Sequence, residues 1–319
     1  DILRLWVAST DYSGEMSISD EILKRTADSY RRIRNTLRFL LANMNGFEPA
    51  QNLVAAEDML SLDRWLVAQT ARVQKELQEV YDQYQFHVAV QKIHHFCSVT
   101  LGGFYLDVIK DRQYTTQPDS LARRSCQSAM YHVAEAMTRW ITPILSFTAD
   151  EVWENLPGER EQLGNFTATW YDGLFDYNSK EIDASVWDDL LAIRQQLSTI
   201  LETLRQDGKI GSSLDAEITI YCDDALLNAL DMLGDELRFV LITSEATLAE
   251  LKDAPDSAEI QSLGNESRQF AVDASVSQHP KCVRCWHHRD DVGNNTEHPE
   301  LCGRCVDNVA GSGEQRRYA

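Results

Sequence analysis

Four of the chain's seven cysteines fall in two Cys-x-x-Cys pairs near the C-terminus, Cys282 with Cys285 and, after sixteen intervening residues, Cys302 with Cys305. Two residues between cysteines let a tight turn aim both sulfurs at one point, with the turn's N–H groups directed at the thiolates. Two such turns make a closed tetrahedral site for one structural zinc ion, without the open position that catalysis needs. The sequence around them holds few apolar residues, so the ion supplies most of the folding energy of this segment. Gly303 falls inside the second turn, where a positive φ is often required. His287 and His288 are near enough to replace one cysteine as ligand, and a redox dithiol is the other reading of such a pair. Two pairs at ribbon spacing favour the metal.

The remaining cysteines, Cys97, Cys126 and Cys222, sit among apolar residues and read as buried free thiols. An odd cysteine count and no secretory signal suit a reducing, cytoplasmic setting. No apolar run approaches the roughly 18 to 20 residues that cross a bilayer, so no membrane partner is expected. The chain opens at Asp1 directly in an apolar, helix-like stretch, which reads as the interior of a longer protein. The formal net charge of −20 is uneven. Acidic side chains outnumber basic ones three to one across residues 156–275, while the flanking segments are close to balanced. That argues against nonspecific coating of nucleic acid but leaves room for a local basic face.

The first half reads as helix after helix. Ile22, Leu23, Ile33, Leu37, Leu40 and Leu41 recur at helical spacing between Ser19 and Met44, with Ser17 or Ser19 as cap and Asn45-Gly46 as stop. Further helices are expected over 61–84, 86–109 and 119–142. Thr148-Ala149-Asp150-Glu151 reads as a capping box opening a short helix that stops at Pro157-Gly158. Gly102-Gly103 marks a close packing point, and His94, His95 and His132 read as satisfied core histidines. A helix over 184–207 precedes a strand at 217–221, a helix near 224–233, and strands near 237–243 and 269–276. Asp188-Asp189 and Asp223-Asp224 read as surface charge or helix starts. The chain is therefore mainly α: an antiparallel helical bundle over 1–157, a connection over 158–182, a small α+β domain over 183–276, and a zinc ribbon over 277–319.

Lys24, Arg31, Arg34 and Arg38 share one helix face, flanked by Arg25 and Arg32. Two readings fit this stripe: recognition of phosphates, or a solvated face paired with Asp20, Glu21 and Asp28. Arg123-Arg124 and Lys110-Asp111-Arg112 are smaller basic spots. No phosphate-binding glycine loop, dinucleotide fingerprint or nucleophile–base pair at a recognisable spacing is present, so the chain holds no self-contained catalytic site.

The order of the motifs resembles a known family. Asp1-Ile-Leu-Arg-Leu-Trp6, Asp11-Tyr12 and Tyr30-Arg-Arg-Ile-Arg-Asn35-Thr-Leu-Arg-Phe39 look like the start of the anticodon-binding helical domain of class I isoleucyl-tRNA synthetases. Lys110-Asp-Arg-Gln-Tyr114, Leu145-Ser-Phe-Thr-Ala-Asp-Glu-Val-Trp153, Lys209-Ile-Gly-Ser-Ser-Leu214 and Leu237-Arg-Phe-Val-Leu241 match the same family. Cys282-Val-Arg-Cys-Trp286 and Cys302-Gly-Arg-Cys305 resemble the zinc ribbon that ends its bacterial members. The resemblance implies a tRNA-binding C-terminal portion, with tRNA(Ile) as partner and no DNA. The bundle would pack against the anticodon stem, and Arg284 and Trp286 would lie at the anticodon loop. ATP would enter only through upstream catalytic and editing domains, whose signatures this chain lacks. A zinc-finger DNA-repair glycosylase is an alternative, but its N-terminal proline nucleophile has no counterpart in Asp1-Ile2. The other alternative is a structural interaction module.

Overall fold

The computed structural model describes residues 1–160, 163–179, 181–263 and 268–319. Glu161, Gln162 and Lys180 of the expected connection lie outside the described residues. The helices, in chain order, are α1 (Ile2–Ser9), α2 (Asp20–Asn43), α3 (Pro49–Asn52), α4 (Ser61–Asp82), α5 (Phe86–His95), α6 (Leu106–Val108), α7 (Lys110–Thr115), α8 (Leu121–Ile141), α9 (Ser146–Asn155), α10 (Ala184–Gln206), α11 (Asp224–Asp231), α12 (Leu237–Leu241) and α13 (Gly303–Ala310). A π-helical segment, Phe96–Tyr105, joins α5 to α6. The strands are β1 (Ala216–Cys222), β2 (Glu245–Glu250), β3 (Gln261–Leu263) and β4 (Arg268–Val276). Among the described residues no helix is long and apolar enough to cross a membrane.

The chain forms two compact units. One comprises 1–59, 63–107 and 124–178; the other comprises 60–62, 108–123 and 179–319. Residues 108–123, which interrupt the first unit in sequence, therefore pack with the C-terminal unit.

The first unit is helical. Ser19 Oγ accepts from the Ile22 amide at 3.2 Å and starts α2. Ile33, Leu37 and Leu40 then recur every third or fourth residue on its buried face. Trp65 of α4 and Phe104 meet edge to face at 5.5 Å, and Trp140 of α8 donates to Gln74 at 3.0 Å. The buried carboxylate of Asp63 accepts from Tyr105 at 2.6 Å and from Ser125, so its polarity is satisfied inside the core.

Two local expectations change here. Thr148 is not a cap: α9 already begins at Ser146, and the Asp1 carboxylate accepts from the Thr148 amide at 2.8 Å and its hydroxyl at 2.6 Å. A side chain 147 residues away thus fills the orphan donors that the local box was expected to fill. Gly102 and Gly103 are exposed, and a Cβ on either would meet carbonyls of the same π-helical segment, those of Cys97 at 3.0 Å and Ser98 at 3.2 Å. They relieve crowding inside the wide turns and make no close approach to another element.

The second unit is built on a four-stranded sheet in the order β2-β1-β4-β3, with β1 and β2 parallel and the other pairs antiparallel. Ala216, Ile218, Ile220 and Cys222 are the buried face of β1. The expected strand near 237–243 is instead α12, closed by Ile242 at φ +57°, and the parallel partner of β1 is the later segment β2. All five residues of α12 are buried, so its apolar run carries no alternation to separate strand from helix. Asp223 caps α11, accepting from Leu226 at 3.0 Å. Asp189 is buried and paired with Arg268, so it is not surface charge.

Candidate functional site

The C-terminal segment wraps around its cysteines because little else there is apolar; among the described residues the partly buried apolar side chains packed against the cluster are Val292 and Leu301. The first turn closes through the Trp286 amide on the Cys282 carbonyl and the Cys282 amide on the His287 carbonyl, both at 2.9 Å. The second opens α13, whose N-cap is Cys302 and whose first turn carries Cys305. The Cys302 amide at this N-cap donates to Cys282 Sγ at 3.4 Å, which favours thiolate there.

All four cysteines are buried, and their sulfurs lie within 4.8 Å of one another. Four thiolates around a zinc ion at a Zn–S length of ~2.3 Å stand roughly 3.8 Å apart; Cys285 and Cys302 sulfurs are 3.7 Å apart. The donor set is all soft sulfur, closed and shielded, which fits a structural zinc ion and offers no position for a reacting water.

The histidines beside the first turn are occupied elsewhere. Nδ1 of buried His287 lies 3.2 Å from Arg238, and Nε2 faces Asp111 at 3.6 Å. Burial lowers its pKa, so the neutral ring accepts from the guanidinium through Nδ1 and turns its N–H to the carboxylate. His288 pairs with the His279 carbonyl at 2.7 Å and with Asp215 at 3.3 Å. Gly303 does not have a positive φ. Its amide donates to Asp291 at 2.9 Å, and a Cβ would stand 2.8 Å from that carboxylate oxygen, so close approach is what requires glycine. Among the described residues of the ribbon, the non-glycine residue with a positive φ is Trp286, at +67°, and it is 62% exposed.

A buried ionic network, invisible in the sequence, holds the ribbon within the second unit. Arg304, between the last two cysteines, donates both Nη groups to Asp111 at 2.7 and 2.8 Å, and Arg316 joins the same carboxylate. Glu314 accepts from Arg304 at 3.1 Å and Arg316 at 3.0 Å. Burial alone would raise the Asp111 pKa, but the charges of Arg304 and Arg316 outweigh it and hold the carboxyl well below its usual range. Guanidiniums of Arg316, Arg238 and Arg304 lie 3.6, 4.0 and 4.9 Å from the ring centre of Phe239. Glu236 accepts the backbone amides of Arg317, Tyr318 and Ala319 at 2.7–2.8 Å. Asp111 belongs to a spot that the sequence marked as basic, yet its carboxylate is what organises the site.

Arg284, expected at an RNA loop, is half-buried and donates to the Thr115 carbonyl at 2.7 Å, with Cys305 Sγ 3.7 Å away. Its guanidinium braces α7 against the ribbon, while Trp286 of the same turn is exposed. On α2, Arg31 pairs with Asp28 and Arg34 with Glu151 at 3.3 Å, while Lys24 and Arg38 are exposed without a salt-bridge partner among the described residues. The stripe thus divides between its two readings. Arg124 donates to the Gly46 carbonyl at 3.0 Å and Arg112 is fully buried, so both are structural.

Two families match the chain. An anticodon-binding domain of tRNA ligases covers residues 63–220, and a zinc finger found in FPG and IleRS covers residues 280–308. Over its whole length the chain is 59% identical to the isoleucine--tRNA ligase of Alkalilimnicola ehrlichii. Identities are 58% to that of Methylococcus capsulatus and 57% to that of Shewanella halifaxensis, again with the whole chain covered. The matched part is 33–34% of each relative, so the chain spans about a third of their length.

Proposed function

We propose that this chain, which belongs to the isoleucine--tRNA ligase family and carries its anticodon-binding domain and zinc finger, grips the anticodon stem-loop of tRNA(Ile). The observation that carries this reading is an exposed Trp286 standing on a four-cysteine knuckle, in a chain that also holds an anticodon-binding bundle. Unpaired loop bases splay out, and an exposed indole face accepts one by stacking, worth roughly 1–3 kcal/mol per base. Cys282, Cys285, Cys302 and Cys305 hold one zinc ion whose part is to fix the turn beneath that ring. Lys24 and Arg38 meet backbone phosphates, with Arg31 and Arg34 partly neutralised by their carboxylate partners.

In this reading residues 1–157 serve the stem and 277–319 the loop, with 158–182 as connection and 183–276 as junction. Activation of isoleucine with ATP and its transfer to the tRNA 3′ end lie in catalytic and editing parts of the relatives that this chain does not span, and the setting is the cytoplasm. A glycosylase-like DNA role is not favoured, because the bundle match over 63–220 has no place in it.

Filter binding or fluorescence anisotropy tests the proposal. The chain should bind tRNA(Ile) with a steep salt dependence, because phosphate contacts release counterions. A tRNA with a swapped anticodon should bind more weakly; equal binding would remove the claim of anticodon recognition.

A further inference from the structure

We infer that a cleft between α4 and α5, closed by the π-helical segment, takes one unpaired nucleotide of a bound RNA, with phosphate at the rim and base on the floor. The cleft has a volume of about 390 Å³, within the ~300–1,000 Å³ of small-ligand sites. Its rim carries exposed Arg72, which has no salt-bridge partner among the described residues, and Lys92. The one carboxylate present, Glu76, lies 2.5 Å from Lys92 and is thereby matched, so Arg72 leaves the rim with a surplus positive charge. Gln69 and Gln91 add carboxamides, each both donor and acceptor, suited to a base edge.

The floor is apolar: Val73 and Val88 are half-buried, and Phe96 is buried. Phe96 is held edge-on against Trp140 at 5.5 Å, so its ring is a fixed surface. Phe96 and Thr100 reach the cleft from π-helical turns. Such turns are rare and occur largely at functional sites. Every lining residue falls inside the span matched by the anticodon-binding family. A cationic rim over an apolar floor matches the two halves of a nucleotide.

This inference rests on the RNA reading above, and anisotropy with labelled tRNA(Ile) over a salt series tests both separately. Arg72→Gln should weaken binding several-fold and flatten the log–log salt slope by about 0.7 to 1, as for one lost phosphate contact. Thr100→Trp, which plugs the cleft without altering charge, should weaken binding with the slope kept. Far-UV circular dichroism must match wild type for either result to count as binding, and Thr100→Ser serves as the conservative control. Wild-type affinity and slope in both variants would overturn the cleft while leaving the tRNA reading intact; no binding by wild type would overturn both. Saturable AMP binding lost in Thr100→Trp, with tRNA binding untouched, would assign the cleft to a free nucleotide and also overturn the proposal.

Discussion

His132 illustrates what a single buried residue does to the whole energy surface. Nδ1 lies 2.8 Å from the Tyr171 hydroxyl, which donates to it, and burial pushes the His132 pKa down to about 4. Unfolded, the same imidazole takes a proton near pH 6.5. Between those values the unfolded chain binds a proton that the folded chain does not, so stability falls as pH drops from about 6.5 towards 4. The slope for one proton is about 1.4 kcal/mol per pH unit. His132→Gln, which can still accept from Tyr171, should flatten that limb in urea unfolding curves; an unchanged difference between pH 7 and pH 5 would contradict the assignment. At this scale the sequence was informative wherever partners are near in the chain. The cysteine spacing and the Ser19 cap are local, and both were legible. Asp111 and Arg304 are 193 residues apart, and no periodicity announces that pairing.

The elements show the same division. Long amphipathic helices were readable because α2 has a buried stripe and an end signal, Gly46 at φ +73°. The π-helical segment was not, since its mean apolar character continues that of a helix while its turns widen. The region 237–243 failed as a strand because uniform burial erases the alternation on which such readings depend. Within the ribbon, the proposed zinc ion and the backbone act as one element. Cys302→Ser removes a thiolate at the N-cap of α13 and should release zinc and unfold the ribbon, with the helical circular dichroism signal largely retained. Zinc content remaining at one per chain by atomic absorption would mean that the ligand set differs.

At the scale of the molecule, the chain forms two compact units and spans about a third of the length of the isoleucine--tRNA ligases it matches. Among the described residues no nucleophile is joined to a base beside a phosphate cradle, and the buried charges around Asp111 are locked in mutual ion pairs. The purified chain should therefore give no isoleucine-dependent exchange of pyrophosphate into ATP. Robust exchange would reveal an active site within these residues.

Trp286 breaks two local rules at once. Its backbone adopts a conformation that glycine would take without steric cost, and its large ring stands mostly in water. The turn beneath it is closed by main-chain hydrogen bonds and sulfurs, so the ribbon's own architecture gains little from that side chain. A glycine at this position would adopt the same backbone conformation without that steric cost. In the proposed RNA-binding role the ring is half of a contact, built before its other half arrives.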